Sequence, residues 1–349
     1  MSRVLVAMSG GVDSSVAAAL LRDAGHDVVG ATMKLWGGAG DRGCCSVSDV
    51  EDARRVAQQL GIVHHVFNFS DDFDTRVVDH YVAAHAAGRT PNPCIECNRH
   101  LKFDRFLHRA TQLGFDAVAT GHHARVVHDT RTGTYRLRRG ADAAKDQSYV
   151  LHMLDQAQLA RTRLPVGDLT KADVRAHAAR VGLRTATKPD SQEVCFIPSP
   201  RGGGRAAFLR DRITLSPGRV VDTAGNDLGA VDAVELVTIG QRRGLGLEHA
   251  GDGTRRFAVD VDTATATVTV GTEADLHVDA TTLAGITWTD TPVAGEVLAQ
   301  TSAHGAAVPA TFDPTTSTVT WHEPRRRVAP GQSVVLYDGD DVLGGGVAA

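Results

Sequence analysis

The chain contains no run approaching the roughly eighteen consecutive apolar residues of a membrane span, and Met1-Ser2-Arg3 leads into a strand pattern without the apolar core of a signal peptide. The expectation is a folded, cytoplasmic protein with no membrane partner. Strong charge of one sign is also missing. A net charge of -4 over 349 residues argues against broad, non-specific nucleic-acid binding and leaves any such contact to local patches. Lysine is scarce: of 37 basic residues only Lys34, Lys102, Lys145, Lys171 and Lys188 are lysines, all in the first part of the chain. In an arginine-rich protein a retained lysine points to a specific task. There are five cysteines, Cys44, Cys45, Cys94, Cys97 and Cys195. An odd, clustered set excludes a disulfide scaffold and reads as reactive or metal-binding. No long linker or exact repeat interrupts the chain, and 42% hydrophobic composition leaves room for two or three domains.

Two familiar phosphate loops are absent as well. After the apolar run Val4 to Met8 comes Ser9-Gly10-Gly11-Val12-Asp13-Ser14-Ser15, and then a helical stretch Val16 to Leu21. No lysine follows Gly11, which excludes a Walker A loop, and no third glycine completes a dinucleotide fingerprint. What is there still suits phosphate. A strand turning into a helix aims free N–H groups and a positive dipole end at one point. Gly10 and Gly11 permit close approach, Ser9, Ser14 and Ser15 supply hydroxyls, and Asp13 is a candidate Mg²⁺ ligand.

The first part of the chain alternates strand and helix patterns. Asp27–Met33, Ile62–Phe67 and Ala117–Gly121 read as strands, with helical spacing in Val50, Ala53, Ala57 and Leu60, from Phe73 to Ala87, and again through Leu101, Phe106, Leu107 and Leu113. Such βα units imply an α/β fold with a parallel sheet covered on both faces and a ligand at the strands' carboxyl ends. Ser9 to Ser15, Met33-Lys34 and Gly121-His122-His123 fall at those ends. A hairpin is expected over 124–139, turning at Thr132-Gly133, and a capping box over Thr170-Lys171-Ala172-Asp173. From about Ser216 the texture changes to short strands, read as a small mixed module and a compact β-barrel. The expected domains are 1–204, 205–278 and 279–349.

The stretch Pro91-Asn92-Pro93-Cys94-Ile95-Glu96-Cys97-Asn98 ends in a helix, which sets Cys97 near a helix N-terminus; with Arg99 and Lys102 nearby it is a candidate nucleophile of lowered thiol pKa. If the remote Cys195 approached it, one thiol could carry a persulfide and the other resolve the product as a disulfide. Zinc lacks a second cysteine pair at the right spacing. A sharper rival is a 4Fe-4S cluster held by Cys94, Cys97 and Cys195 with one iron left open.

Six blocks in order carry a family resemblance: Ser9 to Ser15, Thr90-Pro91-Asn92-Pro93 through Cys97-Asn98, Thr120 to Arg125, Lys145-Asp146-Gln147-Ser148-Tyr149, Asp190 to Phe196, and Thr238 to Gly246, with a weaker echo at Pro330-Gly331-Gln332. Together they resemble the bacterial tRNA-specific 2-thiouridylases, whose adenine-nucleotide-hydrolase-like domain carries a PP-loop. The resemblance implies that ATP adenylates O2 of a tRNA wobble uridine and that a persulfide then displaces AMP. By matching positions it assigns Ala7, Met8, Ser9, Gly10, Gly11, Val12, Asp13, Ser14, Met33 and Gly121 to ATP. Cys97 and Cys195 become the nucleophile and the persulfide carrier. Asn92, Pro93, Cys94, His122, Lys145, Asp146, Gln147 and Gln332 face tRNA. It further implies a cysteine desulfurase or sulfur-relay protein as donor, and the architecture can work as a monomer. Cys94 stands where some members carry a proton-handling aspartate, and Gln300 to Gly305 depart from an arginine-rich tRNA contact. The competing readings are a ligase of the argininosuccinate-synthase type, which has no use for the two thiols, and a non-catalytic nucleotide- or RNA-binding iron–sulfur protein.

Overall fold

The computed structural model describes residues 1–36, 47–190, 194–197, 203–247 and 254–349. Cys44, Cys45 and Ser191 to Glu193 lie outside the described residues. Strands β1 (Arg3–Ala7), β2 (Asp27–Lys34), β3 (Val63–Asn68) and β4 (Ala117–Ala119) form the first sheet. After a hairpin of β5 (Ala124–Asp129) and β6 (Thr134–Arg139), the short β7 (Thr162–Arg163) completes it. All its pairings are parallel, in the order β3-β2-β1-β4-β7. Both faces of β1 are covered, which accounts for its unbroken apolar run. Val4 and Val6 pack against helix α1 (Val12–Asp23) and helix α2 (Val47–Leu60), whereas Leu5 and Ala7 face a second cluster containing Phe73, Leu101 and Phe106.

This order sets the carboxyl ends of β2, β1 and β4 side by side, so Met33, the loop after β1 and Gly121 become neighbours at the point where the strand order reverses. The helical stretches expected near 73–87 and 101–113 are present over Ser70–Ala86 and Pro93–Gln112, but each contains a π-helical section, Asp74–Val78 and Cys97–Arg105. Such sections bulge the backbone and recur at functional sites.

The hairpin turns where expected, with Gly133 at φ +75° and its N–H donating to the Asp129 carbonyl at 2.8 Å. It joins a different sheet from the strands around it. β6 pairs with the last strand of the chain, Leu137 opposite Val342 and Arg138 opposite Asp341.

The tail divides as its texture suggests. β8 (Gly218–Asp222), β9 (Asp227–Val231), β10 (Phe257–Asp262) and β11 (Thr267–Gly271) form a mixed sheet of order β10-β11-β8-β9 in which only β11 and β8 run parallel. β12 (His277–Trp288), β13 (Gly295–Gln300), β14 (Val308–Asp313), β15 (Thr318–Arg326), β16 (Ser333–Asp338) and β17 (Asp341–Ala348) then form an antiparallel ring that β12 and β17 close. Closure leaves no edge within the ring, and Phe312, Val319, Val334 and Leu336 fill it.

The first domain and the barrel are fastened together. The Arg139 guanidinium lies 3.8 Å over the Tyr337 ring, and the Tyr149 hydroxyl donates to the Ser333 carbonyl at 2.7 Å. Arg136 and Arg138 pair with Asp341 at 2.9 and 2.6 Å, so this arginine cluster serves the hairpin–barrel joint.

Candidate active site

The loop between β1 and α1 is built by close approach. Gly10 has φ +73°, and a Cβ there would stand 2.3 Å from the Asp49 carbonyl oxygen of α2. Gly121 permits equally tight contact from the β4 side: its Cβ would meet Ser14 N at 2.5 Å. The Ser14 hydroxyl accepts from the Ser9 N–H at 3.2 Å and donates to the Gly11 carbonyl at 3.2 Å, while the Ser15 hydroxyl donates to the same carbonyl at 2.7 Å. Gly11 is the extended N-cap of α1, and no side chain caps the helix. Its first-turn N–H groups are therefore available to an anion.

Three of the five lysines meet here. Lys171 Nζ lies 2.8 Å from both Asp13 oxygens and 2.8 Å from Asp190 Oδ1. Asp190 also binds Lys145 at 2.9 Å and Arg175 at 2.8 Å. Lys188 Nζ donates to the Gly10 carbonyl at 3.0 Å and pairs with Asp49 and Asp52 at 2.7 and 2.8 Å. Thr170 and Asp173 form the expected capping box, which starts the helix Lys171–Arg180 with Lys171 at its first position. Burial pushes the Asp13 carboxyl up, but His123, whose Nε2 is 3.2 Å away, and Lys171 together hold it below its ordinary value. Burial also raises Asp190, and Lys171 and Lys145 outweigh it, setting that carboxyl at about 2.

Neither metal reading gains a ligand set from this geometry. Among the described residues, no three His, Cys, Asp or Glu side chains gather as metal ligands. Cys94, Cys97 and Cys195 are all described and do not come together as such a group. Asp13, offered for Mg²⁺, instead faces Lys171 and His123.

The thiols share a face of the sheet. Cys97 is buried in the cluster of Leu5, Phe73, Leu101 and Phe106, and half-buried Cys195 packs against that same cluster. Phe196 enters it, with the rings of Phe208, Tyr81 and Phe73 at 5.2, 5.5 and 5.6 Å. The helix-start position expected for Cys97 belongs more closely to Cys94. Asn92 is the N-cap, its side chain accepting from the Cys94 N–H at 3.1 Å, Pro93 opens the helix, and Cys97 begins the π-helical section one turn further in.

The residues matched to tRNA divide in two. Cys94 is exposed. Asp146 is turned inward, accepting from Arg139, Ser148 and the Gly140 N–H, and Gln147 accepts from the His123 N–H at 2.9 Å. His122 is buried, its Nδ1 2.7 Å from the Thr120 hydroxyl, and burial, with Lys102 and His123 adding to it, pushes its pKa well below the ordinary histidine value. Gln332 donates to the Thr90 carbonyl at 2.6 Å, and the Thr90 N–H donates to the Pro330 carbonyl at 2.7 Å, so the barrel holds the loop that leads into Asn92-Pro93-Cys94.

Sequence reasoning singles out Lys171 and Asp190 without a partner for either, and passes over Asn98. That buried amide donates to the Val150 carbonyl at 3.0 Å and ties the cysteine helix to the segment that docks on the barrel.

Ser9-Gly10-Gly11-Val12-Asp13-Ser14 at an uncapped helix start after the first strand of a parallel sheet is the arrangement of a PP-loop nucleotide-binding domain, and family models agree. A tRNA methyl transferase HUP domain matches residues 2–199, a tRNA methyl transferase PRC-barrel domain residues 206–272, and an aminomethyltransferase β-barrel domain residues 278–348. Whole-length relatives narrow the class. The chain is 45% identical to a tRNA-specific 2-thiouridylase MnmA of Roseiflexus sp. (strain RS-1) and 48% identical to that of Mycobacteroides abscessus, over 99% of both chains in each case. It is 49% identical to that of Frankia casuarinae, over 99% of this chain and 98% of the relative. The chain belongs to the tRNA-specific 2-thiouridylase family.

Proposed function

We propose that the chain uses ATP to replace O2 of a tRNA wobble uridine with sulfur. In the first step O2 attacks the α-phosphate, pyrophosphate leaves and the N3 proton is lost, converting a poor leaving oxygen into a phosphate ester. The loop residues Ser9 to Ser14, with Met33 and Gly121 beside them, hold the nucleotide, and a Mg²⁺ bound with it would neutralise phosphate charge. In the second step the terminal sulfur of a Cys195 persulfide attacks C2 and AMP departs with the oxygen. The Cys97 thiolate then attacks Cys195 Sγ. The S–S bond breaks toward the uridine sulfur, leaving a Cys97–Cys195 disulfide that an external thiol reduces. A cysteine desulfurase or sulfur-relay protein reloads Cys195, and the chain acts as a cytoplasmic monomer of three domains, 1–204, 205–278 and 279–349.

The observation that carries this reading is the shared packing of Cys97 and Cys195 on one face of the sheet whose strand ends form the phosphate loop. Those two thiols also weigh against the ligase reading. Exposed Cys94 and the loop held by Gln332 lie on the side of the tRNA, with Lys145 and His122 framing the approach. The test is a gel that retards thiolated tRNA, run on protein purified without oxygen, with and without reconstituted iron and sulfide. Thiolation that needs both cysteines and no added iron supports the persulfide route. Dependence on iron overturns it in favour of a cluster.

A further inference from the structure

The cycle proposed above ends on a Cys97–Cys195 disulfide that has to be reduced, and it gives Cys94 no part. Cys97, only 9% exposed, lies within the apolar cluster of Leu5, Phe73, Leu101 and Phe106, and Cys195 packs against that cluster. Disulfide exchange proceeds by attack of a thiolate on one of the two sulfurs, so its rate depends on access. A reductant in solvent has little access to a bridge built there. Cys94 is exposed and stands three residues before Cys97 on the same helical stretch. The turn between them is tight, because the Cys97 N–H is shared between the carbonyls of Pro93 and Cys94. The second of these bonds spans three residues, as in a 3₁₀ turn, and that winding brings the side chains at i and i+3 into line. Even in an ordinary α-helix such a pair has its Cβ atoms about 5–6 Å apart, against about 4 Å across a disulfide. Asn92 and Pro93 fix the outer end of the turn, the Asn92 side chain accepting from the Cys94 N–H at 3.1 Å. The thiols run in series, from Cys195 at the cluster through buried Cys97 to Cys94 at the surface.

We propose that Cys94 is a relay thiol that carries the disulfide from the interior to the surface after each thiolation. The inference rests on the persulfide reading above. The Cys94 thiolate attacks Cys97 Sγ, the Cys97–Cys195 bond breaks, and Cys195 leaves as a thiolate that takes up a proton. One disulfide is exchanged for another, with no net oxidation, and Cys195 is ready to be loaded again. An external dithiol of the thioredoxin type then attacks the exposed Cys94 Sγ and Cys97 leaves as a thiolate. The second thiol of the reductant displaces Cys94, so both cysteines return as thiols and the dithiol departs oxidised. This task needs sulfur at position 94. An aspartate there can move a proton but cannot carry a disulfide.

The test uses the full chain without added iron, loaded with sulfur by brief treatment with polysulfide and desalted without oxygen. One turnover is run with ATP, Mg²⁺ and transcribed tRNA, with no reductant, and is stopped with iodoacetamide; the same protein without ATP is the blank. Cys94 and Cys97 fall on one tryptic peptide, 90–99, and Cys195 on another, so mass spectrometry reads the connectivity. In the parent the ATP-dependent product should be a disulfide within peptide 90–99, with Cys195 alkylated. Cys94→Ser and Cys94→Asp should form thiolated tRNA within twofold of the parent in this single turnover and stop at a cross-link between the two peptides. When reduced thioredoxin is then added, that cross-link should disappear at least tenfold more slowly than the parent's disulfide. A parent that ends on a Cys97–Cys195 bridge overturns the proposal, as does a bridge in either variant that thioredoxin reduces at the parental rate. If both variants melt like the parent but form no thiolated tRNA, Cys94 acts before sulfur transfer and the relay is wrong. If the parent forms thiolated tRNA with no ATP-dependent disulfide, the persulfide reading itself fails, a result distinct from a bridge that stays on Cys97 and Cys195.

Discussion

Replacing Gly121 with alanine tests whether the phosphate cradle depends on close approach between β4 and α1. A Cβ at this position would lie 2.5 Å from Ser14 N, 2.6 Å from the Asp13 carbonyl carbon and 2.9 Å from Asp13 Cβ, all inside the 3.0 Å that real Cβ atoms essentially never breach. Two of the three neighbours are backbone, so the start of α1 has to retreat by about half an ångström. Overpacking of this kind costs about 1–3 kcal/mol in stability. Because a 1 Å misplacement of a reacting group costs on the order of a hundredfold, half that shift should lower ATP- and tRNA-dependent pyrophosphate release roughly tenfold to hundredfold, about 1.4 to 2.7 kcal/mol in the barrier. Gly133→Ala is the matched control. Gly133 has φ +75° and nothing within 4 Å of where a Cβ would stand, so alanine there costs about 1 kcal/mol of backbone strain at a hairpin turn remote from the loop. Its pyrophosphate release should stay within twofold of the parent. A Gly121→Ala protein that melts like the parent and releases pyrophosphate at the parental rate would refute the argument.

Cys97→Ser and Cys195→Ser should each abolish thiolation on the retarding gel while pyrophosphate release continues; loss of ATP binding in either would assign that cysteine a structural role. Asp190, at about 2 against an ordinary 3.8, contributes stability that is present above pH 4 and disappears as the pH falls through about 2. Melting temperatures between pH 5 and pH 2 should therefore fall less steeply for Asp190→Asn than for the parent, and parallel curves would contradict the pairing with Lys171 and Lys145. Gln332→Ala removes a 2.6 Å bond to the Thr90 carbonyl and should cost about 1 kcal/mol in urea unfolding. Amide hydrogen exchange at 89–92 should rise with it, and unchanged protection there would show that the Pro330 contact alone holds the loop.

Much of the first domain is legible in local pattern because its elements are locally determined. The uninterrupted apolar run of β1 signals a strand buried on both faces, the Gly-Gly step signals a loop of close approach, and Thr170 with Asp173 signals a helix start. What escapes is set by partners far away in sequence. Lys171 meets Asp13 across 158 positions and Lys188 meets Asp49 across 139. The scarcity of lysine marks both residues, but composition does not specify a partner. The hairpin is visible from its turn, yet its attachment to β17 depends on the register of strands about two hundred residues apart. Ring closure of the barrel has the same origin, since alternation identifies a strand and not its neighbour. Sequence pattern sets Cys97 near a helix N-terminus, but the cap is Asn92, which gives the first-turn position to Cys94 and leaves Cys97 one turn further in.

That inward position bears on the chemistry. An adenylated uridine is as vulnerable to water as to sulfur, and attack by water would regenerate uridine with ATP spent. A thiol on an exposed loop would compete poorly with bulk solvent. Here the two faces of one sheet divide the work. The face carrying α1 presents lysines, carboxylates and helix N–H groups suited to phosphate, whereas the opposite face surrounds Cys97 with Leu5, Leu101 and Phe106 and brings Cys195 against the same apolar wall. The strand ends lie between them, so the proposed route would set phosphate in a polar cradle and sulfur against an apolar wall. On the proposed persulfide route, the aromatic rings around Phe196 would keep water from the place of the persulfide.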